Sequence, residues 1–186
     1  MTETVSSVCI YCASSERIRP VYREAAEKLG RLLGKAGAGI INGAGSEGLM
    51  RAVSDAALEA GGRVTGVIPR FMVHSGWCHP GLTELIVVET MHERKQRMAE
   101  LSDAAIALPG GFGTLEELLE IITWQQLGLY RHPVVILNTN GYYDPLLRMF
   151  QQAADEGFIP SGGASSRSVA RTPEEAMEMI LPALLK

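Results

Sequence analysis

The sequence predicts an α/β fold: a doubly wound, Rossmann-like parallel sheet with helices on both faces. Short apolar runs alternate with helical patterns from end to end of the 186 residues, which is typical of repeated β–α units. Runs such as AAIAL (104–108) and PVVIL (133–137) are apolar at every position, as expected of strands covered on both faces. We find no internal repeat or linker, and 46% hydrophobic residues are enough for one core, so we predict a single domain over residues 1–186.

The apolar runs predict seven strands, near residues 6–12, 38–42, 63–68, 84–88, 104–108, 133–138 and 167–170. The helical patterns between and after them predict six helices, near residues 20–35, 47–60, 91–102, 114–128, 143–156 and 173–185. Ligands of such folds bind beyond the carboxyl ends of the strands. The functional residues are therefore expected in the turns that follow strands.

The overall composition excludes several classes of partner. A net charge of −4 and a pI near 5.6 argue against a nucleic-acid polymer, because proteins that bind one display a basic face. No apolar run approaches the ~20 residues that span a bilayer, and the N-terminus lacks the basic and apolar regions of a signal peptide. We expect a cytoplasmic protein without a membrane partner, and a small anionic ligand remains compatible with this charge.

The cysteines and histidines do not indicate a metal site. Cys9 and Cys12 form a CxxC motif inside an apolar run, where positions three apart point to opposite faces of a strand, so neither a disulfide nor a shared metal fits. The four histidines show no HExxH and no zinc spacing with cysteine. We expect no metal and no cofactor.

A first glycine-rich turn, INGAGSEGLM (41–50), separates a strand from a helix. Gly43, Gly45 and Gly48 have the GxGxxG spacing of a dinucleotide-binding turn. Two features count against NAD: the motif follows the second strand, and the next strand ends in VTGVIPR without an acid for the ribose. Arg70 could instead meet the 2′-phosphate of NADP. A tight strand-to-helix turn without a ligand is the third interpretation.

A second turn, LPGGFGTLEE (108–117), is more specific. Gly110, Gly111 and Gly113 permit positive φ and let a ligand approach the backbone amides without interference from Cβ atoms. The free N–H groups and the positive dipole end of the following helix favour an anion, most simply a phosphate.

The acid that follows this turn has two interpretations. Thr114 and Glu117 have the TxxE spacing of a capping box, in which the glutamate only satisfies backbone donors. Alternatively Glu117 faces a ligand. The spacing predicts a core stripe of Leu115, Leu118, Leu119 and Ile122, with Glu117, Ile121 and Trp124 on the opposite side. Apolar residues on both sides favour a second subunit over the outer side, and hence a homodimer.

A cation is predicted beside this acid by the segment TMHERKQRMAELS (90–102). Arg94 falls within the helical stripe formed by Met91, Met98 and Leu101, so burial would require an anion near its guanidinium. Glu117 and a ligand phosphate are the candidates, unless the arginine head reaches water past its apolar stem. Lys95 could join a phosphate contact, although a solvated lysine is the commoner outcome.

MHERK followed by PGGFGTLEE resembles the paired motifs of the Lonely Guy (LOG) family of cytokinin-activating phosphoribohydrolases, whose pattern is PGGxGTxxE. YCASS, NGAGSEGLM, GVIP, GLTEL and GYYDPL also come in the family's order, so the resemblance covers the whole chain. It implies a Rossmann-like homodimer that cleaves the N-glycosidic bond of a nucleoside 5′-monophosphate, giving free base and ribose 5-phosphate, with N6-modified adenines as the best-known substrates. A non-catalytic nucleotide-binding or carrier module of the same fold is the alternative.

The resemblance also implies roles for individual residues. Arg94 and Glu117 are the implied catalytic pair. The implied phosphate- and nucleotide-binding residues are Ser14, Ser15, Gly43, Gly45, Met91, Arg94, Lys95, Gly110, Gly111, Gly113, Thr114, Glu116 and Thr123.

The chain departs from the family's pattern at three places. Ala13 and Ala44 stand where family members have glycine, and Asn42 precedes the first glycine turn in place of tyrosine. In the segment FMVHSGWCHPGLTEL (71–85), Ser75, Gly76 and Trp77 occupy the region where relatives commonly carry an acid that contacts the base.

Overall fold

The structure is a computed structural model that describes residues 6–159 and 168–185. In these residues seven strands form one parallel sheet: β1 (Ser7–Tyr11), β2 (Gly39–Asn42), β3 (Val64–Pro69), β4 (Glu84–Val88), β5 (Ala104–Ala107), β6 (Val134–Leu137) and β7 (Ser168–Ala170). The helices are α1 (Pro20–Lys35), α2 (Gly48–Glu59), α3 (Arg70–His74), α4 (Met91–Glu100), α5 (Phe112–Gln126), α6 (Asp144–Asp155) and α7 (Pro173–Leu184), with a short 3-10 helix at Thr139–Gly141. The predicted fold class is confirmed.

Each predicted element is present within two residues of its expected ends, except that residue 167 lies outside the described residues. Two short elements were not predicted: α3 and the 3-10 helix. None of the described helices combines the length and hydropathy needed to cross a bilayer.

The strand order β4-β3-β2-β1-β5-β6-β7 reverses direction between β1 and β5. At such a switch point the connections on the two sides leave in opposite directions and open a crevice beyond the strand ends. The segments that follow β1, β2 and β5 meet at this crevice, and they include both glycine turns.

The sheet separates two apolar cores. Helices α1, α2 and α7 cover one face, and α4, α5 and α6 cover the other. Cys12 belongs to the first core and Cys9 to the second, which confirms that the CxxC cysteines point to opposite faces. Burial raises the pKa of both thiols, so they stay protonated and neither is a nucleophile at neutral pH.

The orientation of α5 corrects the predicted stripe. Leu118, Ile121 and Ile122 are buried against the sheet, whereas Leu119 is 42% exposed. Trp124 also packs against this core. Apolar residues at 118, 119, 121 and 122 are compatible with two adjacent stripes, and only packing against the sheet selects one. The inference of a subunit contact from an outward Ile121 and Trp124 was therefore wrong.

Candidate active site

A cavity of about 500 Å³ opens at the carboxyl edge of the sheet, in the size range of small-molecule sites. It lies beyond β1, β2, β3 and β5. Its lining consists of Cys12, Ala13, Ser14, Ser15, Gly43, Gly45, Ser46, Glu47, Met50, Ile68, Met72, Trp77, Arg94, Gly111, Phe112, Gly113, Thr114 and Glu117.

The structure brings together most of the residues that the sequence singled out. Ser14, Ser15, Gly43, Gly45, Arg94, Gly111, Gly113, Thr114 and Glu117 all line the cavity. Five others do not line it within this chain: Met91, Lys95, Gly110, Glu116 and Thr123.

The turn after β5 presents an open helix start. Within residues 6–159 and 168–185, no side chain caps α5, whose N-cap is Gly111, and a Cβ built on Gly111 or Gly113 would meet no heavy atom within 4 Å. The first N–H groups of a helix have no partner within the helix, and the residues of this start, Gly111 to Thr114, line the cavity. The expectation of positive φ at Gly110, Gly111 and Gly113 was wrong, because their φ angles lie outside that region. Gly110 is required for another reason: a Cβ there would overlap the side chain of Thr114.

Two tyrosines hold this turn from behind. The hydroxyl of Tyr142 donates to the carbonyl of Gly110, and that of Tyr143 donates to the carbonyl of Leu108, each at 2.6 Å. Asn138 fixes the second tyrosine by accepting a hydrogen bond from its backbone N–H at 2.7 Å. The GYYDPL segment therefore positions the open turn without reaching the cavity.

The turn after β2 is closed by the protein itself. The carbonyl of Ala13 accepts from the N–H groups of Leu49 (2.9 Å) and Met50 (3.2 Å), and Glu16 Oε1 accepts from the N–H of Gly48 at 3.0 Å. The amides that would bind a dinucleotide phosphate are thus already bonded. Arg70, the candidate for the 2′-phosphate of NADP, pairs with Glu89 at 2.8 Å. The geometry supports the tight-turn interpretation of GxGxxG, with Gly43 and Gly45 as cavity wall.

Arg94 is buried at the meeting point of the two turns. Its Nε donates to the carbonyl of Val67 and its Nη2 to the carbonyl of Gly43, both at 3.0 Å. A Cβ at position 43 would overlap this guanidinium, which explains the glycine there. Nη1 lies 3.9 Å from Glu117 Oε1, too far for a hydrogen bond. The prediction that a buried Arg94 has an anion near it is confirmed.

Glu117 is not a capping residue. Because α5 begins at Phe112, Thr114 lies inside the first turn and Glu117 in the second. The capping box in this region is Thr90 with Glu93 at the start of α4, a TxxE that the sequence analysis missed. Only 10% of the Glu117 side chain is exposed, and burial raises its pKa to about 7, although Arg94 lowers it. Glu117 therefore exchanges a proton near neutral pH.

Lys95 forms ion pairs with two acids of α5. It is buried rather than solvated, and its Nζ binds Glu116 and, at 3.1 Å, Glu120. These contacts tie α4 to α5 on the side away from the cavity lining. Such pairing fixes the distance between the helices that carry Arg94 and Glu117.

Nine residues of the lining were not predicted as site residues: Cys12, Ala13, Ser46, Glu47, Met50, Ile68, Met72, Trp77 and Phe112. Ile68 lies near the carboxyl end of β3, and Ser46 and Glu47 lie between β2 and α2, positions where the fold class predicts a site. Met72 and Trp77 depend on α3 and its loop, which no periodicity indicated.

The chain is similar in sequence to known proteins over most of its length. Residues 50–180 match a family described as possible lysine decarboxylases. A protein of Rhodococcoides fascians named cytokinin riboside 5′-monophosphate phosphoribohydrolase is 44% identical over 178 residues, covering 95% of this chain and 90% of its own. The chain belongs to the LOG family. Another LOG protein, LOG7 of Arabidopsis thaliana, carries the same enzyme name and is 48% identical over 162 residues, 86% of this chain and 75% of its own.

Solved structures share the fold of this LOG protein. The molybdenum cofactor binding protein of Rippkaea orientalis superimposes with a TM-score of 0.73 at 24% identity, over 95% of this chain and 96% of its own. At this identity the likeness concerns the fold alone. The family's description as a decarboxylase finds no support in the cavity, because none of its lining residues in the described part of the chain is a lysine that could hold pyridoxal phosphate.

Proposed function

We propose that this LOG-family protein hydrolyses the N-glycosidic bond of purine nucleoside 5′-monophosphates, including N6-modified ones of the cytokinin type, to free base and ribose 5-phosphate. The observation that carries the proposal is a pairing within one cavity: the open start of α5 beside the buried Arg94 and Glu117, whose side chains are 3.9 Å apart. The LOG enzymes at 44% and 48% identity are named for this reaction.

In this proposal the 5′-phosphate binds the N–H groups at Gly111 to Thr114. Exposed amides and the helix dipole attract an anion there, and Ser14 and Ser15 lie on the neighbouring strand end. Gly111 and Gly113 leave the approach free of side chains. Fixing the phosphate would also orient the sugar, so that the anomeric carbon faces Glu117.

Breaking the ribosyl C–N bond builds positive charge on the sugar, which a neighbouring carboxylate stabilises. The C1′–N electron pair leaves with the base, which gains a proton. Water forms the new C1′–O bond and gives up a proton to Glu117 or solvent. The ionised form of Glu117 is the active one. Since its pKa is raised to about 7, kcat/KM should increase as pH rises through about 7.

The proton that the base gains has no assigned protein donor. His92, a histidine of the MHERK motif, is exposed on α4 and does not line the cavity. Water is the remaining source in the proposal.

The test is incubation with AMP, an N6-alkylated AMP and adenosine, followed by chromatography of the free base and ribose 5-phosphate. We expect base release from the monophosphates and at least about 100-fold lower kcat/KM for adenosine, since remote phosphate binding orients the sugar. Glu117→Gln should still bind AMP but release no base, and Glu100→Gln, an exposed acid on α4, is the matched control. Equal turnover of adenosine and AMP would contradict the proposal, and binding without release by the unmodified protein would favour a carrier.

We further propose that the protein acts as a cytoplasmic homodimer. Phe112, Glu116, Leu119, Thr123 and Leu127 recur at helical spacing along one face of α5 and its end. All five are exposed, and Phe112 reaches 93%. The three apolar members, Phe112, Leu119 and Leu127, favour a second subunit on this face. Glu116 and Thr123 also lie on this face. In the dimer they would contact a nucleotide bound in the cavity of the partner subunit, which would account for the binding role that the resemblance implies.

Light scattering of Leu119→Glu tests the dimer. A charge buried at the interface should shift the mass toward that of one 20.1 kDa chain. Leu181→Glu is the matched control, because Leu181 on α7 is 43% exposed and Leu119 is 42% exposed. A monomeric unmodified protein, or the same shift in both variants, would contradict the α5 interface.

A further inference from the structure

We infer that Trp77 is the stacking platform for the base, so that this site selects its substrates by the area of a flat ring more than by a hydrogen bond to an acid. The inference rests on the proposed function, because it concerns the base of the same nucleotide. It assigns a task to the segment between α3 and β4.

The cavity has two chemically different ends. The anion-attracting end follows β5, at Gly111 to Thr114. The other end follows β2 and β3 and is lined by Met50, Ile68, Met72 and Trp77. Since β1 separates β2 from β5, and neighbouring strands lie about 4.8 Å apart, the strands that lead to the two ends are roughly 10 to 14 Å apart, on the scale of one nucleotide.

Trp77 is held at the apolar end by its backbone. Its carbonyl accepts from the N–H of Ser46 at 3.1 Å, and its N–H donates to the carbonyl of Met72 at 3.4 Å. Next to it, Cys78 forms an antiparallel bridge with Gly45, and the N–H of His79 donates to the carbonyl of Ala44 at 2.8 Å. The loop that carries Trp77 is thus bonded along the closed glycine turn.

A buried histidine anchors the other side of this loop. His79 Nδ1 accepts from the N–H of Gly81 at 3.0 Å, so Nε2 carries a hydrogen toward Asp55 Oδ1, 2.8 Å away on α2. Trp77 itself is 55% exposed, so its side chain is accessible to a ligand. An exposed indole on an anchored loop loses little conformational entropy when it binds a ring.

Met50 and Ile68 line the cavity together with the Trp77 indole, so this part of the cavity is an apolar slot. Met50 and Ile68 are buried, and the Met50 sulfur accepts from the N–H of Gly45 at 2.9 Å, which fixes it against the wall. Sulfur and aliphatic groups contact an aromatic face favourably without selecting one hydrogen-bonding edge. Such a slot tolerates an apolar N6 substituent and prefers purines to pyrimidines.

Two other lining residues are rival base contacts. Glu47 is an exposed acid that could hydrogen-bond the base, and Phe112 is an exposed ring at the anion end. Phe71, a 53% exposed aromatic on α3 outside the lining, is the matched control for loss of a surface ring.

The experiment measures binding in a Glu117→Gln background, where no turnover interferes. Calorimetry of AMP, CMP and ribose 5-phosphate is carried out on Trp77→Ala, Trp77→Phe, Glu47→Gln, Phe112→Ala and Phe71→Ala. Trp77→Ala should weaken the binding of AMP about 10-fold or more, which is the usual effect of losing a stacked ring. The affinity for ribose 5-phosphate should change by no more than about twofold. Trp77→Phe should restore most of the affinity, and Phe71→Ala should have no effect.

A second measurement uses Trp124→Phe, which leaves Trp77 as the sole tryptophan. AMP should quench its fluorescence to saturation, and ribose 5-phosphate should not. Unchanged AMP affinity in Trp77→Ala, or a loss confined to Glu47→Gln or Phe112→Ala, would overturn the inference. If Trp77 behaves as expected but the unmodified protein releases no adenine, the proposed function fails and the inference stands. If the unmodified protein releases adenine but Trp77→Ala has an unaltered KM for AMP, the inference fails and the proposed function stands. If the protein does not bind AMP, both are overturned.

Discussion

The two glycine turns of this chain look alike in sequence and differ in what fills their helix starts. After β2, the first amides of α2 bind Ala13 and Glu16, so the turn is closed. After β5, no side chain of the described residues caps α5, and Gly111 and Gly113 face open space. The turn after β2 has the better match to a dinucleotide fingerprint, but its amides are already hydrogen-bonded within the protein.

This difference shows that a glycine motif identifies a tight turn, whereas the neighbouring chain decides whether the turn can bind an anion. The closed turn contributes by other means: the carbonyl of Gly43 orients Arg94, and the edge at Gly45 holds the Trp77 loop. One turn supplies the proposed phosphate site and the other builds the wall. The following predictions separate these tasks.

The largest effect is expected for Gly43→Ala in the closed turn. The added Cβ would overlap the end of the Arg94 side chain, which can move more easily than backbone, so the fold should persist while the guanidinium shifts. We expect kcat for AMP to fall about 100-fold, as for other displacements of about 1 Å at a reacting centre. Activity near that of the unmodified protein would show that the closed turn does not position Arg94 for catalysis. Thermal unfolding of the variant checks that the fold is intact.

A pH-dependent stability is expected for Glu117, which stands where the two turns meet. Its pKa is raised from 4.5 to about 7 in the folded protein. The stability that protonation contributes is complete below the ordinary pKa and is lost as pH rises through about 7, with a total near 3 kcal/mol. Urea unfolding at about pH 5 and about pH 8 should show Glu117→Gln gaining stability relative to the unmodified protein at the higher pH. A constant difference between the two proteins would contradict the raised pKa.

A smaller loss is expected for Asn42→Ala, which tests how the closed turn is held. Asn42 Oδ1 accepts from the N–H of Ala44 at 2.9 Å, and its Nδ2 donates to Ser54 Oγ at 2.8 Å, all in buried surroundings. Ala44 has φ 62, so this bond supports a strained residue. Loss of a buried partner should cost about 1–3 kcal/mol in urea unfolding.

A double-mutant cycle with Ser54→Ala is the control for Asn42. Because the two side chains share a hydrogen bond, their effects should be less than additive. Additive losses would mean that Asn42 acts only through Ala44.

The smallest effect is expected for Gly113→Ala in the open turn, and it has the opposite sign. A Cβ there meets nothing within 4 Å, so alanine should stabilise the helix by roughly 0.5–1 kcal/mol. The same methyl should hinder an anion at the amides and weaken inhibition by ribose 5-phosphate. If the variant is more stable but is inhibited equally well by ribose 5-phosphate, the phosphate does not bind next to Gly113.

Much of this protein follows from sequence alone. Alternating apolar and helical patterns determined the parallel α/β fold, since burial on two faces of a sheet requires them. The stripe around Arg94 correctly predicted that a buried Arg94 has an anion near it, because an unpaired buried charge is too costly. The glycines of PGGFG correctly indicated an open helix start, although not through positive φ.

Tertiary structure decided the rest, because it depends on contacts between residues far apart in the chain. Only packing on the sheet turned Ile121 inward and Leu119 outward, and only the carbonyl of Ala13 closed the first glycine turn. Burial of Glu117 under neighbouring elements set its pKa near 7. Local patterns fix which face a segment can bury, whereas desolvation and hydrogen-bond partners are properties of the assembled surroundings.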